Sequence, residues 1–482
     1  MIRIEGLSYR FRDSAQYALR DLSLEIEPGE FLVITGPSGC GKSTLALAMG
    51  GYLFRQFDGQ AEGRVTVDGM DARDRPIYDV AKVVGLVQQN PEVQFCTLTV
   101  RDEVAFGLEN RRLSRAEIHE RMAWALSIVG AEPLAGRALA TLSGGEKQKV
   151  AIAAMMAAKP QVLIFDEPTS NLDPTATAEI FQVIEHIRSK ASITVIVIEH
   201  KVDYLRRFQP RLVEMQDGRI VYEGPMRPPR TPHHASPKPD SRVPGPALLR
   251  IENLQASYNR HPVLQGCSLE LHPGEFASVM GDNGSGKTTL LHCLLGLHKP
   301  DQGRVEVLGH DTRKTPVSEL ARGVGFLFQN PDHQIFADSV WEEATLAARN
   351  FGLLDGTTEA RVGEILARCG LAYRLDDHPY RLSYGQKRRL NLVSVLSYQP
   401  KLILLDEVLI GQDPANATFL LDLLCEHVEQ GGAVVMVNHA PSVTRRYASR
   451  VLFLNDGQLV VDAPTDQAFA QLQALGRRAY VA

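Results

Sequence analysis

Two short apolar runs, FLVIT at 31–35 and FASVM at 276–280, each stop at a glycine-rich segment, and an apolar stretch of helical character follows. Around them the same order of patterns occurs twice. Alternating apolar and polar positions open each half (IRIEGLSYRF at 2–11, LRIENLQASY at 249–258) and read as half-buried strands. Turn-rich strand patterns follow (GRVTVDG at 63–69, GRVEVLG at 303–309), then long helical stretches over roughly 100–158 and 340–398. The uninterrupted runs VLIFD, ITVIVIEH, LILLD and AVVMVNH carry no alternation, which predicts parallel strands buried on both faces. Strands alternating with helices predict an α/β fold: a mainly parallel sheet core in each half, with a helical insertion.

The duplication keeps a steady offset. Lys42 and Lys287 are 245 residues apart, Asp166 and Asp406 are 240 apart, and His200 and His439 are 239 apart. An offset of half the chain means a duplicated domain, and a short-period solenoid is excluded. The expected division is a first domain over 1–224, a linker over 225–246 and a second domain over 247–482. The linker, PMRPPRTPHHASPKPDSRVPGP, is crowded with proline and nearly free of bulky apolar residues. Its 22 residues could extend over roughly 70 Å at about 3.1 Å each. A net charge of −5 gives no basic footprint for nucleic acid, so no nucleic-acid partner is expected. The longest wholly apolar stretch, VAIAAMMAA at 150–158, is too short for a membrane span, and the start MIRIEGLSYR lacks a signal peptide's apolar core. Six scattered cysteines without a CxxC pair suit a reducing compartment and argue against zinc or an iron–sulfur cluster.

The glycine-rich segments carry the candidate chemistry. Gly36, Pro37, Ser38, Gly39, Cys40, Gly41, Lys42, Ser43 and Thr44 fit the phosphate-loop pattern. Gly281, Asp282, Asn283, Gly284, Ser285, Gly286, Lys287, Thr288 and Thr289 fit it again. Glycines let backbone N–H groups and a helix N-terminus close on the phosphates of a triphosphate. Lys42 or Lys287 reaches the β and γ phosphates, and the Ser43 or Thr288 hydroxyl can ligate Mg²⁺. Asp166 and Asp406, each ending an apolar run, can hold the magnesium's water shell, and Glu167 and Glu407 can position or deprotonate the attacking water. His200 and His439 close further apolar runs at matched positions and are assigned to the γ phosphate. Between these elements lie LSGGEKQKVAIA, from Leu142, and LSYGQKRRLNLV, from Leu382. Ser143 with Glu146, and Ser383 with Gln386, have the spacing of a capping box. Gly144 and Gly145 at a helix start also leave N–H groups for an anion, as Gly385 does beside Tyr384.

In that order, phosphate loop, LSGGE or LSYGQ, apolar run with Asp-Glu, and strand-end His, the chain resembles the ATP-binding-cassette ATPases over essentially its whole length, twice. The resemblance implies two tandem P-loop domains, each with an antiparallel β subdomain beside the sheet core. It assigns Phe11 and Tyr258 to the adenine ring, and Gln89 and Gln329 to Mg²⁺ and to sensing of a membrane subunit. Asp173 and Asp413 fall on the loop that crosses between paired domains. In this family two domains pair head to tail, so each ATP lies between one phosphate loop and the other domain's signature helix. The runs VQQNPEVQF at 87–95 and LFQNPDHQIF at 327–336 are similar to the ATPases of energy-coupling-factor importers of vitamins and metal ions. Fused tandem versions resemble those assigned to thiamine or its pyrimidine precursor. What this implies is a peripheral subunit on the cytoplasmic face of the cell membrane, docked on a transmembrane coupling protein and a substrate-binding component. The alternative is a soluble tandem ATPase acting on the ribosome; the short proline-rich linker and negative charge weigh against it.

The second half departs from the pattern at Tyr384, where the signature has glycine, and at EVLIGQDP (407–414), where the first half has EPTSNLDP (167–174). Under head-to-tail pairing both departures act on the ATP held by the first half. Tyr384 is expected to crowd the phosphate or to forbid the glycine's backbone angles. The ATP held by Lys287, Glu407 and His439 is then expected to turn over faster.

Overall fold

The computed structural model describes residues 1–12, 14, 16–227, 245–410, 412 and 414–481. The chain divides into two compact units, Met1–Thr231 and Pro232–Ala482. Most of the proline-rich linker lies outside the described residues, as does Asp413.

In the first unit Ile2–Phe11 pairs antiparallel with Leu19–Ile26 on one side and Gly59–Val67 on the other, and Met70–Asp71 completes this small sheet. The expected alternation holds: Ile2, Ile4, Leu7 and Tyr9 are buried. The larger sheet has six strands in the order Arg219–Pro225, Arg211–Gln216, Phe31–Thr35, Thr194–Ile198, Val162–Asp166, Val84–Val87. All pairs are parallel except the outer hairpin. The central strands are buried on both faces, which is why their sequences read as continuous apolar runs. Phe31, Val33, Leu163, Phe165, Val195 and Val197 face the helices of residues 100–191. Their neighbours Leu32, Ile34, Val162, Ile164, Ile196 and Ile198 face the small sheet and Lys42–Met49. One residue of register slip would exchange the two sets. Because Phe31–Thr35, Thr194–Ile198 and Val162–Asp166 run parallel, their last residues reach one sheet edge, where ligands of open α/β sheets bind.

The helical stretch is three helices, Val100–Asn110, Arg115–Ile128 and Gly144–Ala157, started by the hydroxyls of Thr99, Ser114 and Ser143. The second unit repeats the plan. Its small sheet runs His261–Leu271, Leu249–Tyr258, Gln302–Val307, His310–Asp311. Its large sheet runs Val324–Leu327, Leu402–Asp406, Ala433–Val437, Phe276–Met280, Arg450–Asn455, Gln458–Pro464. A further helix, Thr465–Ala474, packs Ala468, Phe469 and Leu472 into a cluster with Met280, Val451 and Phe453.

Candidate functional site

At the shared edge of the first sheet, the chain leaves Phe31–Thr35 through Gly36 (φ +149°) and enters the helix Lys42–Met49 from Gly41 (φ +103°). A side chain at Gly36 would sit 2.1 Å from the Met215 carbonyl oxygen, and one at Gly41 2.3 Å from that of Ala18. Gly281 and Gly286 repeat these angles (φ +147° and +101°). Only glycine accepts such backbone angles and contacts together. Both lysines are buried and curl into their own loops. Lys42 Nζ donates to the carbonyls of Gly36 at 2.9 Å and Pro37 at 3.0 Å, and Lys287 Nζ to those of Gly281 at 3.0 Å and Asp282 at 2.8 Å. The remaining loop residues, Ser38 to Cys40 and Asn283 to Ser285, complete the turn, and Thr44 and Thr289 lie in the first helical turn.

Next to each loop stands the strand-end acid. The Ser43 hydroxyl donates to Asp166 Oδ1 at 3.1 Å, and Thr288 to Asp406 Oδ2 at 3.0 Å. Burial, together with the neighbouring glutamates, pushes both carboxyls up to about 6 despite these hydrogen bonds. Among the described residues no cluster of three His, Cys, Asp or Glu could hold a metal. A hydroxyl beside one carboxylate nevertheless fits Mg²⁺, which takes few protein oxygens and draws the rest from phosphate and water.

The following glutamates, Glu167 and Glu407, have left-handed backbone (φ +48° and +49°). Each carboxylate is held at both oxygens. Glu167 Oε1 lies 3.2 Å from His200 Nε2, and its Oε2 accepts from Gln89 Nε2 at 3.3 Å. Glu407 is held more tightly, by His439 Nε2 at 2.7 Å and Gln329 Nε2 at 2.9 Å. Burial raises the Glu167 carboxyl, but the adjacent His200 ring, with Lys42 and Lys201 behind, brings it below the usual carboxylate range. An ionised carboxylate between an imidazole and an amide can orient a water and take its proton. The two glutamines thus reach the glutamates, and not the strand-end aspartates beside which Mg²⁺ is expected.

The signature segments start helices through complete capping boxes. Ser143 and Glu146 cap Gly144–Ala157, and Ser383 and Gln386 cap Tyr384–Leu396. Glu146 also pairs with Arg137 at 2.8 Å, and Gln386 accepts from Arg374 at 3.2 Å. Tyr384 occupies the first helical turn, as Gly144 does, with no left-handed angle at either residue. The expectation that tyrosine would meet forbidden backbone angles is therefore corrected: any L-residue adopts this conformation. The phenol is instead turned to its own domain, donating to the Gln329 carbonyl at 3.3 Å. Asp173 is buried and caps Pro174–Ala191 through the Ala176 N–H at 2.8 Å. Phe11 packs edge-on between Tyr9 and Phe57, whereas Tyr258 is exposed beside His298.

Several supporting residues lie outside every motif. Arg388 is fully buried and donates to the Phe328 and Gln329 carbonyls as well as to the Tyr384 hydroxyl. Its counterpart is Gln148. Buried Glu103 accepts from the N–H groups of Cys96 and Thr97, and Glu343 from those of Phe336 and Ala337, fixing the chain after each QNP run. In the first half Glu199 accepts from Thr169, His200 and Lys201, and Lys201 in turn donates to the Thr169 carbonyl at 2.7 Å. The matched second-half positions are Asn438, Leu409 and Ala440. A signal was available: aligning the halves shows Gly144/Tyr384 and Gln148/Arg388 changing together at i and i+4, on one helix face.

The family described as ABC transporter matches residues 19–170 and 264–410. A Methanosarcina mazei protein described as "Putative ABC transporter ATP-binding protein" is 33% identical, covering 98% of this chain and 91% of its own length. A Bacillus subtilis protein described as "Putative HMP/thiamine import ATP-binding protein YkoD" is 31% identical, covering 99% of this chain and 94% of its own. The solved structure of cbiO1 from Clostridium perfringens, described as part of the ABC transporter complex cbiONQ, is 27% identical, covering 49% of this chain and 98% of that one with a TM-score of 0.43.

Proposed function

The chain belongs to the ABC transporter family of ATP-binding proteins and is an ATPase; from that premise we propose that it powers a membrane importer of energy-coupling-factor type. The observation that supports the ATP-driven part of this reading is the presence of two sets of loop, strand-end acids and His, each assembled at one sheet edge. In this reading residues 1–224 and 247–482 are the two ATPase domains, joined by the 225–246 linker and paired head to tail.

Each phosphate loop binds ATP through its backbone N–H groups and its lysine. Ser43 with Asp166, and Thr288 with Asp406, hold Mg²⁺, which neutralises phosphate charge when bound. Glu167 and Glu407 take the proton of the attacking water, His200 and His439 contact the γ phosphate, and Gln89 and Gln329 report the state of the membrane partner. Phe11 and Tyr258 carry the adenine. Ser143 to Glu146 and Ser383 to Gln386, with Asp173 and Asp413, contact the nucleotide held by the opposite domain.

The importer class is supported by the two QNP-x-x-Q runs and by the thiamine-related description of the Bacillus relative. It would make the cargo a vitamin or metal ion, thiamine or its pyrimidine precursor among them. Among the described residues no helix is long and apolar enough to cross a membrane, so membrane attachment rests on the transmembrane coupling protein and the substrate-binding component. The protein then sits on the cytoplasmic face. Extraction in mild detergent and identification of what co-purifies tests this directly: two integral membrane proteins are expected. Recovery of the protein wholly with ribosomes would replace the importer reading with the ribosomal one.

A further inference from the structure

The second phosphate loop contains a residue that its ligand should oppose. After its first glycine stands Asp282, where the first loop has Pro37. A carboxylate in a loop built to receive a triphosphate sets like charges against each other, and the repulsion grows where water is excluded.

The segment beyond the last strand takes up that carboxylate. Arg477 donates to Asp282 Oδ2 at 2.9 Å, and the Tyr480 hydroxyl donates to Asp282 Oδ1 at 2.8 Å. Neither donor is a loose surface group. Tyr480 is fully buried and stands edge-on to Phe453, with ring centres 4.9 Å apart. Arg477 also donates to the Asn455 side chain and lies over the Phe453 ring. Phe453 and Asn455 belong to the strand beside Phe276–Met280, which leads into the loop. Thr465–Ala474 anchors the segment on that strand through Phe469 and Leu472. Asp282 is thus fixed at both ends, its side chain by Arg477 and Tyr480 and its carbonyl by Lys287.

We propose that Arg477 and Tyr480 are positioning residues for ATP at the second phosphate loop: they hold and neutralise the Asp282 carboxylate, so that the loop receives a triphosphate despite its own negative charge. The inference rests on the reading of residues 281–289 as an ATP site, and Lys287→Ala tests that reading separately.

The experiment titrates a fluorescent ATP analogue with Mg²⁺ into the full chain, its first loop silenced by Lys42→Ala. Arg477→Ala is expected to weaken binding about tenfold, the size of one lost charge-assisted hydrogen bond. Adding Asp282→Asn to Arg477→Ala is expected to restore the affinity to within about threefold, since the uncompensated charge is gone. Tyr480→Phe, which keeps the packed ring, is expected to weaken binding about threefold. A packing role would give a loss that Asp282→Asn does not rescue, and that result overturns the proposal, as does unchanged affinity in Arg477→Ala. Unchanged binding in Lys287→Ala would overturn both the site reading and the proposal.

Discussion

The two halves build one catalytic cluster from different supports. In each, a glutamate with left-handed backbone lies between a strand-end His and a QNP-run Gln, beside a hydroxyl–aspartate pair. Behind the first cluster stands a charged network, Thr169, Glu199 and Lys201. At the matched positions the second half has Leu409, Asn438 and Ala440, and its support comes from the other side, where Arg388 and Tyr384 tie the signature helix to the Gln329 backbone. The contacts to Glu407 are the shorter set, 2.7 and 2.9 Å against 3.2 and 3.3 Å. Conserving a reacting constellation does not require conserving what holds it, and a duplicated chain lets two solutions coexist.

The largest test of this difference is kinetic. In the full chain, Glu407→Gln is expected to lower steady-state ATPase activity about 100-fold, the scale of one lost general base. Glu167→Gln is expected to leave the rate within a few-fold. Activity abolished by Glu167→Gln and largely retained by Glu407→Gln would reverse the proposed ranking. The support itself comes next. Arg388→Gln, which installs the first half's residue, is expected to cost about 2 kcal/mol in denaturant unfolding, because buried carbonyls and the Tyr384 phenol lose a charged donor. A loss below about 0.5 kcal/mol would show that the Arg388 contacts to the QNP run carry nothing.

The smallest effect tests where the halves agree. Folded Asp406 titrates at about 6, above the ordinary aspartate value of about 3.9. The folded state therefore binds this proton more tightly than the unfolded chain, and the ionised carboxylate destabilises the unliganded protein above that window. Asp406→Asn is expected to stabilise it by about 1–2 kcal/mol at pH 7.5, with the gain fading as pH falls from about 6 to 4. Asp166, raised to the same value, should respond in the same way. Thermal unfolding across that pH range reads both, and a gain that grows toward low pH would contradict the assigned sign.

What was legible in the sequence is what is local. The loops, the apolar runs ending in Asp-Glu and the capping boxes each lie within a dozen residues, and the repeat made every one visible twice. The sheet cores followed from uninterrupted β-branched runs, and the small sheets from alternation. The supports were hidden because their partners are distant in the chain: Arg388 meets Gln329 across 59 residues, and Arg477 meets Asp282 across 195. The expectation that Tyr384 meets forbidden backbone angles failed for a related reason. Gly144, at the matched position, sits in the first turn of a helix with no left-handed angle, and that is a property of the capping geometry.

The left-handed backbone at Glu167 and Glu407 sets stability against activity. A residue with a β-carbon costs about 1 kcal/mol or more in that conformation, and glycine relieves the cost. Variants selected only for resistance to heat would therefore drift toward glycine at these two positions and lose turnover as they gained robustness.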